Sequence, residues 1–474
     1  MGVSLRIPEE MMDQLHKHLF QADQDEHGAV IAASVLETAR GTKLLAHRLF
    51  LAEDGVDYVP GKRGYRMLTA SFVMDCVLEC ADLKMAYLAV HCHGGTDSVG
   101  FSGADMASHD RGYPALLDIL VDQPVGGLVF AKNAVAGDIW TPDGSRHSLD
   151  LMTIPGRPIR TISYEPRKAA VVADPRFDRQ VRLFGDRGQE LLQRQKVGVI
   201  GAGGAGSLLV EYLSRLGVGE LVVIDPDRID PTNLNRLVGS RRSDVRPWLT
   251  HERMPAVIRN YFAQHRTTKV DIARRVVRDS GSATKFKGYQ QSVTDASMCA
   301  ELKDCDYLFL AADSMQARLV FNALVHQYLI PGVQMGVKAQ VDGKTGDVLD
   351  LFAIVRPVIP GVGCLWCNGL IVPSKLQEEA TSPEQRARQR YVDDEDVPAP
   401  SVITMNAIAA GYAGNDYLMS LTGLLQEDDF GWLRFDPRGN EVGPDYPRRD
   451  SVCGECSPSG RLGRGDTRSL PTRN

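Results

Sequence analysis

The chain has 474 residues, 43% of them hydrophobic and 24% charged, with a formal net charge of −6. At roughly 150 residues per domain this allows two or three domains, each able to bury a core without disulfide staples. The acidic balance speaks against a dedicated nucleic-acid binder. No apolar run approaches the ~18 residues of a membrane span, and the acidic start Met1–Leu15 is not a signal peptide, so a cytoplasmic protein with no membrane partner is expected. Nine cysteines in such a chain read as reduced thiols and metal ligands rather than a disulfide framework.

In chain order, residues 1–163 read as a compact α/β unit. A helix is expected over Met11–Phe20, a Val- and Ile-rich strand over His27–Glu37, and a short strand over Tyr87–Val90 that runs into a polar loop. Ala115–Val121 and Gly126–Ala131 are further apolar runs. Residues 164–176, polar and proline-bearing, suit a linker. Then come a helix near Leu183–Arg194, a strand at Lys196–Ile200, a glycine-rich turn, a helix over Ser207–Leu216 and a strand at Leu221–Ile224. This βαβ pattern implies a parallel sheet. Another buried-type strand, Tyr307–Ala311, precedes Asp313. Gln377–Ser401 reads as a polar mobile loop, and residues 458–474 as a disordered tail.

Two clusters carry chemistry. In the first, HCHGGTDSVGFSGAD places His91 and His93 at a strand end, two residues apart and so on one side, with Ser102 and Asp105 following. Two imidazoles and a carboxylate form a usual catalytic zinc set with one position left for water. Such a site needs a general base, which Glu26 could supply, and Ser102 could donate to a developing oxyanion. This arrangement resembles the JAB/JAMM (MPN) metalloprotease family over most of residues 1–160. The resemblance implies Glu26 as acid/base, His91, His93 and Asp105 as zinc ligands, Ser102 as oxyanion stabiliser, and cleavage of peptide or isopeptide bonds after the C-terminus of ubiquitin-like proteins. Gly94 stands where the family usually has proline, and the interval from His93 to Ser102 is one residue longer.

In the second cluster, Gly201, Gly203 and Gly206 of GAGGAG follow a strand and open a helix, the context in which such a turn cradles phosphate. Asp225 ends the next strand, where it could bind a ribose hydroxyl. Asn233, Asn235, Arg236, Lys269 and Asp313 follow, and Arg179 lies upstream. That array suits polyphosphate charge and a Mg²⁺ ion better than a dehydrogenase cofactor. Cys364/Cys367 and Cys453/Cys456 form two CxxC pairs, read as one closed, structural zinc site with four cysteine ligands. Together these resemble the ThiF/MoeB adenylyltransferases, related to ubiquitin-activating enzymes, over residues 177–457. The resemblance implies a Rossmann-like domain that binds ATP through Gly201, Gly203, Gly204, Gly206, Asp225, Asn233, Asn235, Arg236, Lys269, Asp313 and Ser314. It also implies a homodimer in which Arg179 reaches the partner's nucleotide.

The interval between Arg236 and Lys269 is longer than usual and carries an Arg-rich insert, read as a surface excursion. No cysteine lies between Cys367 and Cys453, where thioester-forming members commonly place theirs, and Cys299 and Cys305 read as core residues. The expected protein is thus α/β throughout, a JAB/MPN domain followed by an adenylation domain. It would use ATP, Mg²⁺ and two Zn²⁺. Its partner would be a ubiquitin-like protein with a C-terminal glycine, with a conjugating-enzyme-like protein downstream, as in bacterial ubiquitin-like operons, some implicated in antiphage defence. The alternative is activation of a sulfur-carrier protein for thiocarboxylate formation.

Overall fold

The computed structural model describes every residue except 1, 24, 60–65, 167–168, 173, 250, 252, 343–344, 381–399, 427–430 and 474. The chain divides into two units: Met1–Lys168 with His326–Leu329 and Ser451–Ser469, and Ala169–Val325 with Ile330–Asp450 and Leu470–Asn474. Among the described residues no helix is long and apolar enough to cross a membrane.

The first unit is built on strands β1 (Val3–Arg6), β2 (Gly28–Thr38), β3 (Gly41–Leu51), β4 (Ala86–Cys92), β5 (Val125–Phe130), β6 (Val135–Trp140), β7 (Arg146–Ile154) and β8 (Arg160–Ile162). They follow the order β1-β3-β2-β4-β5-β6-β7-β8, and β1 also pairs with β7, so the sheet curls back on itself. Helices α1 (Glu9–Leu19), α2 (Ala70–Leu83) and α3 (Gly103–Leu120) accompany it. One core gathers Leu5, Leu15, Ile31, Leu88, Leu128 and Ile139. A second gathers Val30, Val77, Tyr87, Tyr113 and Val125, so alternate residues of β2 and β4 supply opposite faces. The run Ala115–Val121 belongs mostly to α3, while Gly126–Ala131 is β5 and the residue after it.

In the second unit the elements are α4 (Asp178–Arg194), β9 (Lys196–Ile200), α5 (Gly204–Leu216), β10 (Glu220–Ile224), α6 (Ala256–Gln264), α7 (Lys269–Asp279), β11 (Lys285–Tyr289), α8 (Ala296–Lys303), β12 (Tyr307–Leu310), α9 (Met315–Gln327), β13 (Gly332–Val341), β14 (Val348–Val358), α10 (Pro373–Ala380), α11 (Ile403–Thr422), β15 (Trp432–Asp436) and β16 (Glu441–Asp445). The sheet order is β11-β10-β9-β12-β13-β14-β15-β16. Strands β9 to β13 pair in parallel, and β14 to β16 extend the sheet antiparallel. The strand order reverses at β9, which has β10 on one side and β12 on the other. That reversal opens a crevice at the carboxyl ends of these strands, where ligands of open α/β sheets bind.

Two expectations are corrected, and a third lies mostly outside the described residues. The tail is not disordered: Leu462 is buried, and residues 465–467 form a 3₁₀ turn. Its backbone carbonyls serve buried polar side chains of the same unit. Ser34 Oγ donates to Gly463 O at 2.8 Å, Gln327 Nε2 donates to Gly465 O at 2.7 Å, and His47 Nδ1 lies 2.7 Å from Leu462 O. A Gly-, Ser- and Arg-rich composition conceals such main-chain pairing. The expected mobile loop begins inside α10, and its residues 381–399 lie outside the described residues. The Arg-rich insert is anchored rather than wholly solvated: Asp244 is buried and accepts from Arg275 Nη2 at 2.6 Å and Arg241 N at 2.7 Å.

Candidate active sites

The first cluster assembles from strand register. Strands β2 and β4 pair antiparallel with Gly28 opposite His91, so Glu26, two residues before Gly28, faces His93, two residues after His91. Glu26 Oε1 lies 3.9 Å from His93 Nε2. The next strand fixes His93, whose backbone N–H donates to Phe130 O at 2.9 Å. Its ring Nδ1 lies 3.2 Å from Gly100 O. A donor role there leaves Nε2 free to ligate.

Asp105 comes from the first turn of α3. Ser102 caps that helix: its Oγ accepts from Asp105 N at 3.2 Å, and the Asp105 carboxylate accepts from Ser102 N at 2.7 Å. The S-x-x-D motif is therefore also a capping box. The three candidate ligands converge. His91 Nε2 and His93 Nε2 are 3.2 Å apart, and they lie 3.6 and 3.4 Å from the Asp105 oxygens. Tetrahedral zinc with bonds near 2.1 Å places neighbouring ligand atoms about 3.4 Å apart, so the chemistry and spacing of this donor set suit zinc.

Burial alone would raise the Asp105 carboxyl, but hydrogen bonding from His91 and Ser102 outweighs it and holds the group well below the usual carboxylate range. Glu26 is shifted upward, because its burial outweighs the pull of the two histidines, as suits a proton acceptor. Beside His93 an open cleft of about 410 Å³ is lined by Gly94, Ser98, Gly100, Tyr164 and Glu165.

The second cluster sits at the strand-order reversal. Gly201 has φ +95°, and a Cβ there would approach the Ala311–Ala312 backbone at 3.0 Å. A Cβ on Gly206 would run into the Gly201 carbonyl oxygen. Only glycine permits this turn. Gly203 is the N-cap of α5 and Gly204 its first residue. Asp225 is 4% exposed and accepts from Ala202 N at 2.7 Å and Asp227 N at 2.8 Å. Burial pushes its carboxyl up, against the opposing charge of Lys269. Lys269 Nζ donates to Asp227 Oδ2 at 2.6 Å and lies 3.8 Å from Asp225.

Arg236 is half-buried and donates to Thr232 O at 2.7 Å, and its Cδ lies 3.5 Å from the Cβ position of Gly204. Asp313 is exposed just beyond β12, at the same end of the sheet because Ala311 N bonds Ile200 O. Ser314 Oγ accepts from Ala317 N at 3.1 Å. Glycines 201–206, Asp225, Asp227, Lys269 and Arg236 are thus brought together. Asn233 is occupied locally, its Oδ1 accepting from Asp230 N, while Asn235 and Arg179 stand exposed.

Two participants were missed from the sequence. Glu379 of α10 accepts from Met315 N at 2.8 Å and Gln316 N at 2.9 Å, the start of α9 immediately after Asp313 and Ser314. The guanidinium of Arg318 donates to Leu370 O at 2.9 Å. Neither belongs to a local motif: Glu379 is recognisable only once α10 meets α9, and Arg318 only once the segment at Leu370 does.

Among the described residues, His91, His93 and Asp105 form a group that could hold a metal ion. The Cys364 and Cys367 sulfurs are 3.5 Å apart, and Cys367 N donates to Cys364 Sγ at 3.3 Å, a knuckle geometry. Cys453 and Cys456 are both buried, and Glu455 N donates to Cys453 Sγ at 3.4 Å. Cys76, Cys80, Cys92, Cys299 and Cys305 are buried thiols, and burial pushes Cys299 up to about 12, which disfavours a nucleophilic thiolate.

The ThiF family profile matches residues 177–436, just over half of the chain, and the chain belongs to the ThiF family. Over 233 residues it is 25% identical to the ubiquitin-like modifier-activating enzyme 5 of Arabidopsis thaliana, covering 47% of this chain and 46% of the relative. Over 196 residues it is 27% identical to the sulfur carrier protein ThiS adenylyltransferase of Bacillus subtilis, covering 40% of this chain and 49% of the relative. The chain thus spans about half the length of these curated relatives. The crystal structure of E. coli MccB with ATP superposes with a TM-score of 0.42 at 17% identity, covering 60% of this chain and 76% of that one.

Proposed function

We propose that the second unit adenylates the C-terminal carboxylate of a small ubiquitin-like protein. The observation that carries this reading is the glycine turn at the sheet reversal, flanked by Asp225, Lys269 and Arg236. ATP would lie along the turn with its ribose toward Asp225 and its phosphates toward α5, Lys269 and Arg236. Asp313 would hold Mg²⁺, which supplies charge neutralisation to the phosphates. A carboxylate oxygen attacks the α-phosphorus, the bond to the bridging oxygen breaks, and pyrophosphate leaves with that electron pair. Lys269 and Arg236 offset the charge that builds on the phosphates. Arg179 would complete the nucleotide site of a second copy in a homodimer, and the cysteine set would hold a structural zinc.

ATP–pyrophosphate exchange with a folded ubiquitin-like protein bearing a free C-terminal glycine tests the reading. Exchange dependent on that protein is expected, and its absence under those conditions sinks it. Activation of a sulfur carrier is the second reading, favoured by the burial of Cys299 and Cys305 and the lack of a cysteine between the two CxxC pairs. A thiocarboxylate product, rather than a conjugate on a downstream protein, would decide for it.

For the first unit we propose a zinc-dependent peptidase acting at the same C-terminal tail. His91, His93 and Asp105 would hold a zinc ion, which would supply Lewis-acid activation of water. Glu26 takes the proton and returns it to the leaving amine, and Ser102 donates to the carbonyl oxygen. Metal analysis should find about two zinc per chain. His91→Ala should remove one of them, and an unchanged zinc content in that variant would refute the metal site.

A further inference from the structure

The first unit holds a buried polar cluster one helical turn beyond the candidate zinc ligands. His109 follows Asp105 by four residues on α3, so both lie on one face. His109 Nδ1 is 2.7 Å from Asp138 Oδ2. Asp138, on β6, also accepts from Arg146 Nε at 2.5 Å, Arg146 Nη2 at 2.8 Å and Trp140 Nε1 at 3.2 Å. Arg146, on β7, reaches α3 twice more, at Asp110 Oδ1 (3.2 Å) and Met106 Sδ (3.5 Å). Positions 106, 109 and 110 are thus tied to a rigid hairpin.

The ring of His109 stacks on Tyr113 with centroids 4.4 Å apart. It also meets the edge of Phe101 at 5.0 Å, and Phe101 lies 6.1 Å from the ring of His91. Gly127 leaves the room for this packing, since a Cβ there would meet His109 Nε2 at 2.8 Å.

We propose that Arg146, Asp138 and His109 form a positioning clamp that sets the first turn of α3, and with it the Asp105 carboxylate, against His91 and His93. A buried aspartate with four donor contacts does more than start a helix that Ser102 already caps. The clamp fixes the rotation and height of α3, and a carboxylate one turn away inherits that placement. None of the three residues touches the metal position. The inference rests on the zinc-peptidase reading of this unit.

Cobalt(II) loading of the full chain separates the two ideas, because thiolate ligation gives an intense charge-transfer band and a His/His/Asp site only weak visible bands. His109→Phe keeps the ring stack and removes the Nδ1 donor, whereas His109→Asn restores a donor near that position. We expect His109→Phe to weaken metal binding at the histidine site about tenfold, the scale of outer-shell effects, and to alter its visible bands. The thiolate band should not change, and His109→Asn should recover most of the loss. A folded His109→Phe with wild-type affinity and bands overturns the clamp. Should His109→Phe not fold, Arg146→Gln, at a side chain one-third exposed, must show the same selective loss, and its failure to do so also overturns the clamp. A wild-type chain that shows only the thiolate band instead overturns the metal-site reading beneath it.

Discussion

The two candidate sites differ in how finished they are. At the histidine site the ligand groups already converge, the two Nε2 atoms 3.2 Å apart and each within 3.6 Å of an Asp105 oxygen, held by strand register and a capped helix. At the glycine turn the charged groups are already engaged: Lys269 with Asp227, Arg236 with a backbone carbonyl, and Glu379 with the first amides of α9. A compact cation needs a fixed cage, so preorganisation serves it. A polyphosphate ligand brings its own charge and can take over these partners when it arrives.

The largest effect tests whether the sites act independently. Glu26→Gln should lower peptide hydrolysis by about 10² to 10⁴, the range for a lost general base, while leaving pyrophosphate exchange at the wild-type rate. A matching loss of exchange would break the comparison. Next, Lys269→Ala should reduce exchange by about 10² to 10³, comparable to deleting one electrostatic stabiliser, with peptidase activity intact. An effect under threefold would mean that the pairing with Asp227 is merely structural.

The smallest effect concerns acid stability. Burial alone would raise Asp138, but hydrogen bonds from His109, Arg146 and Trp140 outweigh it and hold the group at about 2. Because that lies below the ~3.9 of an unfolded aspartate, its stabilising contribution is complete above pH ~4 and lost as pH falls toward 2. Thermal melts of the first unit's transition across that window should be shallower in pH for Asp138→Asn than for wild type. Identical slopes would show that Asp138 contributes no such linkage.

Local patterns exposed what they directly encode. The βαβ unit around Gly201 was legible because strand, turn and helix are contiguous, and β9 matches its expected bounds. His91 and His93 were legible because two residues is the strand repeat. What escaped depends on distant segments: Asp138 and Arg146 reach α3 from a hairpin, and Glu379 reaches α9 from α10. Ser102 and Asp105 show how one motif carries two meanings, since the residues proposed for chemistry also start the helix. The tail escaped for another reason. Its contribution is made by carbonyl oxygens, which no side-chain pattern records.

That tail has a practical corollary. Residues 451–469 belong with residues 1–168, although more than half of the chain intervenes. In linear terms the ThiF region is a guest inserted within its host, not a module appended to it. A fragment cut at the boundary near residue 168 would strip Ser34 and His47 of the carbonyls they now meet, at about 1–3 kcal/mol for each buried polar group left unsatisfied. Dissecting the two proposed activities therefore calls for point substitutions in the whole chain, or for a permuted fragment that carries the returning segment with it.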